Sequence, residues 1–284
     1  MHAMPPRLSL NRALRLTLDA FGRHNASRFA AAMAFYLVFS IAPALLIAIA
    51  VAGTLFGRQA AEREILDRIA GSFGSAAGTA IAAMIKDAGR ARAGWLATTL
   101  GLMTLYFGVT GVYRQIDDAL RTIWGEKRDG GSGSVRSIKK RLTSALLVAA
   151  VLVVVLLSIG ADAAIAVTGR YAAARLVGGE LLWHVAQSLG STLVLTALFG
   201  AVFRYLAQGR LSWRDVVPGA VLTAVLFVLG KLALGIYLGK AAVGSAFGAA
   251  GSIVVVLLWS YWSAQIFFFG LELTHVYADD RQAA

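Results

Sequence analysis

Six apolar runs, each long enough to cross about 30 Å of hydrocarbon as a helix, constrain this chain more than anything else in it. They lie near residues 30–56, 94–113, 142–168, 181–203, 216–239 and 250–274. Lipid offers a bare peptide group no hydrogen bond, so every run is predicted to be helical. The fold class that follows is all-α: a polytopic transmembrane helical bundle of six spans, with amphipathic helices at its interfaces. Charge agrees. Only 15% of residues are charged and mean hydropathy is +0.70, against about 25% charged in a soluble domain. In a soluble protein the formal charge of +12 would suggest nucleic acid. Here the basic residues sit between apolar runs, so headgroups and topology account for them and no nucleic-acid partner is expected.

Lys and Arg set the orientation. With the N-terminus inside, the cytoplasmic segments hold 17 of the 27 basic residues, the densest being Arg114 to Arg141. The expectation is that both termini are cytoplasmic. Residues 1–284 read as one membrane domain. Within it, 1–29 holds a cytoplasmic amphipathic helix, 57–93 a periplasmic helical loop and 114–141 a cytoplasmic loop. In 8–24, Leu10, Leu14, Leu18 and Phe21 form one face and Arg12, Arg15 and Arg23 others, the pattern of a helix lying on the inner leaflet. The outer loop carries two apolar stripes, Ile65, Leu66, Ile69 and Phe73, then Ile81, Met84 and Ile85, which predict two short helices. In 114–124, Ile116, Leu120, Ile123 and Trp124 extend the second span before the flexible stretch Asp129–Ser134. Pro5 and Pro6 precede a basic segment with no short apolar core, so no cleavable signal peptide is expected.

Chemistry-bearing patterns are sparse. There is no cysteine, which removes disulfides, thiolate metal sites and thiol catalysis. His2, His24, His184 and His275 have no neighbours at metal-ligand spacing. No nucleophile elbow, phosphate loop or dinucleotide fingerprint occurs. Catalytic, cofactor-binding and metal sites are all expected to be absent, and the chain does not read as an enzyme. Asp117 and Asp118, flanked by Arg114 and Arg121, read as a surface ion-pair network.

Polar groups at membrane depth are the better clues, because they are costly there. Asp162 in span three and Lys231 in span five fall at similar depth, so they are paired candidates for a polar pathway; the plainer reading has Lys231 snorkelling outward. Gln265 lies mid-span in the last helix. Gln187, Ser191, Thr192 and Thr196 form a polar set on span four, whose default role is interhelical hydrogen bonding. Glu272 and His275, three apart near the inner end of span six, form either a proton-sensitive pair or an interfacial anchor. Gly53 and Gly57, Gly235 and Gly239, and Gly244 and Gly248 have the GxxxG spacing of close helix packing. Pro43 frees a carbonyl inside span one.

Four segments together resemble one family. AAAMAFYLVFSIAPALL near 30–46, IDDALRTIWG at 116–125, SWRDVVPGAVLTAVLF at 212–227, and FGAAGSIVVVLLWSYWSAQIFFFGLELTHVYA at 247–278 are similar to the YihY/BrkB family of bacterial inner-membrane proteins. The resemblance covers nearly the whole chain, and the last segment carries most of it. It implies a six-span, multi-pass bundle in the bacterial inner (cytoplasmic) membrane. It supplies no residue-by-residue activity. Members are linked to serum resistance, envelope lipid or lipopolysaccharide export and ion exchange, and an old ribonuclease label attaches to the family. Nuclease chemistry needs clustered metal-binding carboxylates or a histidine pair in water, and this sequence offers neither.

The function expected first is a transporter or flippase-like protein for an amphiphilic envelope component, a lipid or lipid-linked glycan. Asp162, Lys231, Gln265, Gln187 and Glu272 are its candidate residues. A cation/proton exchanger using Asp162, Lys231 and Glu272 is one alternative; a non-transporting scaffold in envelope biogenesis, recruiting through 57–93 or 114–141, is another. Expected partners are membrane lipids, with a homo-oligomer or envelope proteins beside them. No cofactor is implied.

Overall fold

The computed structural model describes residues 9–73, 75–90, 95–125, 179–207, 211–240 and 251–282. Among these, all regular structure is helical, in eight helices: α1 (Leu10–Arg23), α2 (Ala26–Phe56), α3 (Arg58–Phe73), α4 (Ser75–Arg90), α5 (Trp95–Ile123), α6 (Gly179–Leu206), α7 (Trp213–Lys240) and α8 (Gly251–Gln282). Among the described residues, three stretches are long and apolar enough to cross a bilayer: Ala26–Thr54, Trp213–Leu234 and Ile253–Gln282. A shorter apolar stretch, Thr192–Leu206, lies in α6. The run near 142–168 and most of the 114–141 loop lie outside the described residues. The second apolar run and the 114–124 segment share one unbroken helix, α5.

The chain divides into two compact units, and each is built from distant segments. One comprises Asp19–Lys127 and Phe227–Phe269. Here α2 lies against α3, α4 and α5. Its core gathers Val38 and Ile49 of α2, Ile65 of α3, Ala80, Ile81 and Ile85 of α4, and Val255 and Val256 of α8. Gly57 ends α2 with φ +83°, a positive value that glycine adopts without a Cβ clash, and its N–H donates to the Gly53 carbonyl at 3.0 Å. Gly57 thus makes a helix end, while Gly53 lets the first residue of α3 approach closely, since a Cβ on it would lie 3.1 Å from Arg58 Cα.

Close packing of α2 on α5 rests on two other glycines. A Cβ on Gly111 would overlap the Tyr36 ring, coming within 2.5 Å of its Cε1. One on Gly108 would lie 2.5 Å from Ser40 Cβ and 3.0 Å from the Tyr36 carbonyl oxygen. Tyr36 thus seats in a notch that exists because two side chains are missing. Gly111→Ala is expected to destabilise the protein by about 2 kcal/mol, the usual cost of overpacking, seen as a lowered melting temperature in detergent. An unchanged melt would mean that Tyr36 simply swings aside.

The other unit comprises Met1–Leu18, Arg128–Leu226 and Gly270–Ala284. Its described parts are the start of α1, α6, the first half of α7 and the end of α8. Phe203, Val216, Ala220, Ala224, Leu271 and Leu273 fill its interior.

In α1 the buried side is Ala13, Thr17 and Ala20, with the Thr17 hydroxyl donating to the Ala13 carbonyl at 2.8 Å. Two members of the predicted leucine face, Leu10 and Leu18, are each 60% exposed. Small side chains let a helix backbone approach its support closely, which larger leucines prevent.

Candidate functional site

The segment 212–223 on α7 and the segment 270–281 on α8 supply most of the buried polar groups among the described residues: Asp215, Thr223, Glu272 and Thr274. Two matched patterns bring the helices together. Gly219 and Thr223 are four apart on α7, and Gly270 and Thr274 are four apart on α8. A Cβ on Gly219 would overlap Thr274 Oγ1 and come within 2.7 Å of the Gly270 carbonyl. A Cβ on Gly270 would overlap Thr223 Oγ1 and come within 3.0 Å of its Cβ and 3.2 Å of Phe203 Cζ. Each glycine faces the other helix's threonine, so the two segments cross antiparallel with backbones close. Both hydroxyls are spent on their own helix: Thr223 donates to the Gly219 carbonyl at 2.7 Å and Thr274 to Gly270 at 2.9 Å. Bonded this way, a hydroxyl can be buried at a helix contact without being left unpaired.

Beyond the crossing, α8 is enclosed on every side. Leu271, Glu272, Leu273 and Thr274 are all 0–1% exposed. Four successive residues of a helix point all round its axis, so neither lipid nor water reaches the Glu272 carboxyl. His275, partly buried, has Nε2 3.4 Å from Asp279 Oδ2 one turn on.

At the start of α7 the pattern Ser-x-x-Asp forms a capping arrangement. The Ser212 N–H and hydroxyl both donate to Asp215 Oδ2, at 2.9 and 2.6 Å. Arg281 Nη1 donates to the other oxygen, Oδ1, at 2.9 Å. One carboxylate thus caps α7 and ties it to the end of α8. The Arg204 guanidinium stacks over the Trp213 ring, 4.8 Å from its centroid, and holds the end of α6 against the same turn. Asp215→Ala removes the cap and the ion pair together and is expected to cost on the order of 2 kcal/mol. Arg281→Gln removes only the pair, from a side chain about half exposed, and is expected to cost less than 1 kcal/mol. Thermal unfolding of the two variants checks this order, which equal losses would contradict.

Of the residues singled out from sequence, Glu272 lies at the heart of this arrangement. Lys231 and Gln265 are partly buried and belong to the other compact unit. Gln187 falls in α6 with its side chain outside the described residues, and Asp162, with its proposed pairing to Lys231, lies outside them altogether. On the polar set of span four, Thr196 donates to the Thr192 carbonyl at 2.8 Å, within its own helix. Arg121 Nε meets Asp117 Oδ2 at 2.9 Å, an ion pair one turn apart on α5. Sequence reasoning passed over Asp215, Arg281, Thr223 and Thr274. The Ser-x-x-Asp pattern before an apolar run was a readable sign of the cap. Among the described residues, no three His, Asp or Glu side chains converge as a metal site requires.

The chain matches the family model described as virulence factor BrkB over residues 17–284. A UPF0761 membrane protein of Stenotrophomonas maltophilia strain K279a is 29% identical over 257 residues, 85% of this chain and 57% of that protein. A UPF0761 membrane protein of Chromohalobacter salexigens is 26% identical over 281 residues, 96% of this chain and 64% of that protein. A Bacillus subtilis relative named as a ribonuclease-like protein, YfkH, is 28% identical over 137 residues, 47% of this chain and 50% of its own length. The chain spans 57% of the Stenotrophomonas relative's length. No solved structure matches it. An all-helical architecture with apolar helices of membrane-crossing length, joined to a family match over nearly its full length, makes this chain a membrane protein of the BrkB virulence-factor family.

Proposed function

We propose that this protein is a transporter or flippase-like protein of the bacterial inner membrane, moving an amphiphilic envelope component, a lipid or lipid-linked glycan, and that it is not an enzyme. In this reading six spans place both termini in the cytoplasm, and the partners are membrane lipids, with a second copy or envelope proteins beside them. The observation that supports it is the fully buried carboxyl of Glu272 in α8, which contains a stretch long and apolar enough to cross a membrane. A carboxyl held away from water is expensive, and ionisable groups kept inside membrane bundles commonly mark substrate or proton pathways. Among the described residues, the buried hydroxyls of this crossing, Thr223 and Thr274, are spent on their own helices, which suits a thin path for a headgroup better than a wet lumen for a free sugar.

The test is reconstitution into liposomes with headgroup-labelled lipids and lipid-linked glycans, read as loss of label protection. The wild type is expected to move at least one of them. Glu272→Gln is expected to slow that movement about tenfold or more while folding normally. Vesicles indistinguishable from protein-free ones, across the panel, would overturn the reading. A second reading, proton-coupled cation exchange, is favoured by the titratable residues Glu272, His275 and Asp279 along one helix end. Everted vesicles showing no sodium- or potassium-driven proton movement would remove it.

A further inference from the structure

The hairpin α3–α4 connects α2 to α5, and its charges are laid out unevenly. Arg58, Glu62, Arg63, Glu64, Asp67 and Arg68 lie in the first two thirds of α3, and Lys86, Asp87 and Arg90 at the end of α4. Between them, residues 69–85 carry no charge, and most are Ala, Gly, Ser or Thr. We propose that this hairpin re-enters the membrane beside α2 and stops part-way across, its charged base at the surface and its tip against lipid acyl chains.

Geometry sets the depth. The chain reverses at Gly57 alone, and a Cβ on Gly53 would lie 3.1 Å from Arg58 Cα, so α3 starts by running back along α2. Contact is kept along the helix: Ile49, Leu46, Leu45 and Ile41 of α2 share one cluster with Ile65, Leu66 and Ile69 of α3 and Ala80 and Ile81 of α4. Counting antiparallel from the turn puts Phe73 level with Ile41. The two arms stay close near the tip because Gly78 faces Ala70, where a Cβ would come within 2.7 Å of the alanine's own.

The hydrocarbon needs about 20 helical residues. Even if it begins directly after Arg28, at Phe29, it ends near Ala48. A tip level with Ile41 is then seven residues inside, about 10 Å at the α-helical rise. Any later start buries it further. Each arm has 16 residues, about 24 Å, too short to cross alone, so the hairpin returns to the side it came from. Its exposed face suits lipid: the Thr79 hydroxyl donates to the Ser75 carbonyl at 2.9 Å and so satisfies its donor within its own helix. The inference does not depend on what the protein transports.

The sequence has no cysteine, so single cysteines can be read without background. Ser75→Cys and Thr79→Cys report the tip, Arg63→Cys and Lys86→Cys the base. In lipid nanodiscs, where both faces are open, a charged maleimide is expected to label the base at least tenfold faster than the tip, and SDS to abolish the difference. A nitroxide on the tip cysteines is expected to be relaxed strongly by oxygen and weakly by a nickel chelate, as an acyl-chain environment requires. Tip labelling as fast as the base would put the hairpin in water and overturn the proposal. So would a tip shielded from both relaxing agents, which would mean protein, not lipid, covers it.

Discussion

Gly270→Ala is expected to separate the α7–α8 crossing and to cost on the order of 3 kcal/mol, at the upper end of overpacking penalties. The added methyl would overlap Thr223 Oγ1 and crowd Phe203, whose ring is fully buried. Neither neighbour has room to yield. Thr223 is 0% exposed, and its hydroxyl is held by the Gly219 carbonyl at 2.7 Å. The measurement is thermal or steric-trap unfolding in micelles, run as a double-mutant cycle. Thr223→Ala removes the overlapping oxygen, so the double variant is expected to recover about half of the loss. Additive losses would show that the two positions do not meet. Gly219→Ala, facing Thr274, is expected to behave the same way from the other side.

Glu272 is expected to separate two kinds of substitution. Glu272→Gln keeps the shape and much of the hydrogen-bonding capacity of the side chain, so folding is expected to survive within about 1 kcal/mol. Glu272→Lys reverses the charge and lengthens the side chain in a space that admits no solvent. An uncompensated buried charge costs about 3–5 kcal/mol, a large share of typical stability. Folded yield by fluorescence-detected size exclusion is expected to fall at least tenfold for lysine and little for glutamine. A lysine variant that accumulates normally would mean that water reaches position 272 after all.

Much of the architecture was readable because lipid leaves so few choices. Apolar runs of 20 residues have to be helices, and α2, α7 and α8 contain such stretches. The stripes at Ile65–Ile69 and Ile81–Ile85 fall on α3 and α4. The packing was less readable. GxxxG spacing drew attention to Gly53 and Gly57, yet glycine serves a positive-φ helix end as well as a close contact, and here Gly57 does the first and Gly53 the second. The crossing that does form uses Gly219/Thr223 and Gly270/Thr274, where threonine acts as a small residue once its hydroxyl folds back onto its own helix. In α1, leucines dominate any hydropathy pattern, but Ala13, Thr17 and Ala20 make the buried side. Hydropathy says that a residue avoids water; it does not say whether lipid or protein takes water's place. Glu272 was visible as a polar residue in an apolar run, but its enclosure depends on neighbours from distant segments.

The enclosed end of α8 bears on how the protein is made. Helices enter the membrane in the order of synthesis, and N-terminal parts settle first. The helix that fills the seat beside Gly219 and Thr223 leaves the ribosome after α6 and α7 are already in place. Until then Asp215 lacks Arg281 and the seat stands open. The α7–α8 crossing and the Asp215–Arg281 pair are therefore among the last contacts of this unit that can form, once residues 270–281 have been made.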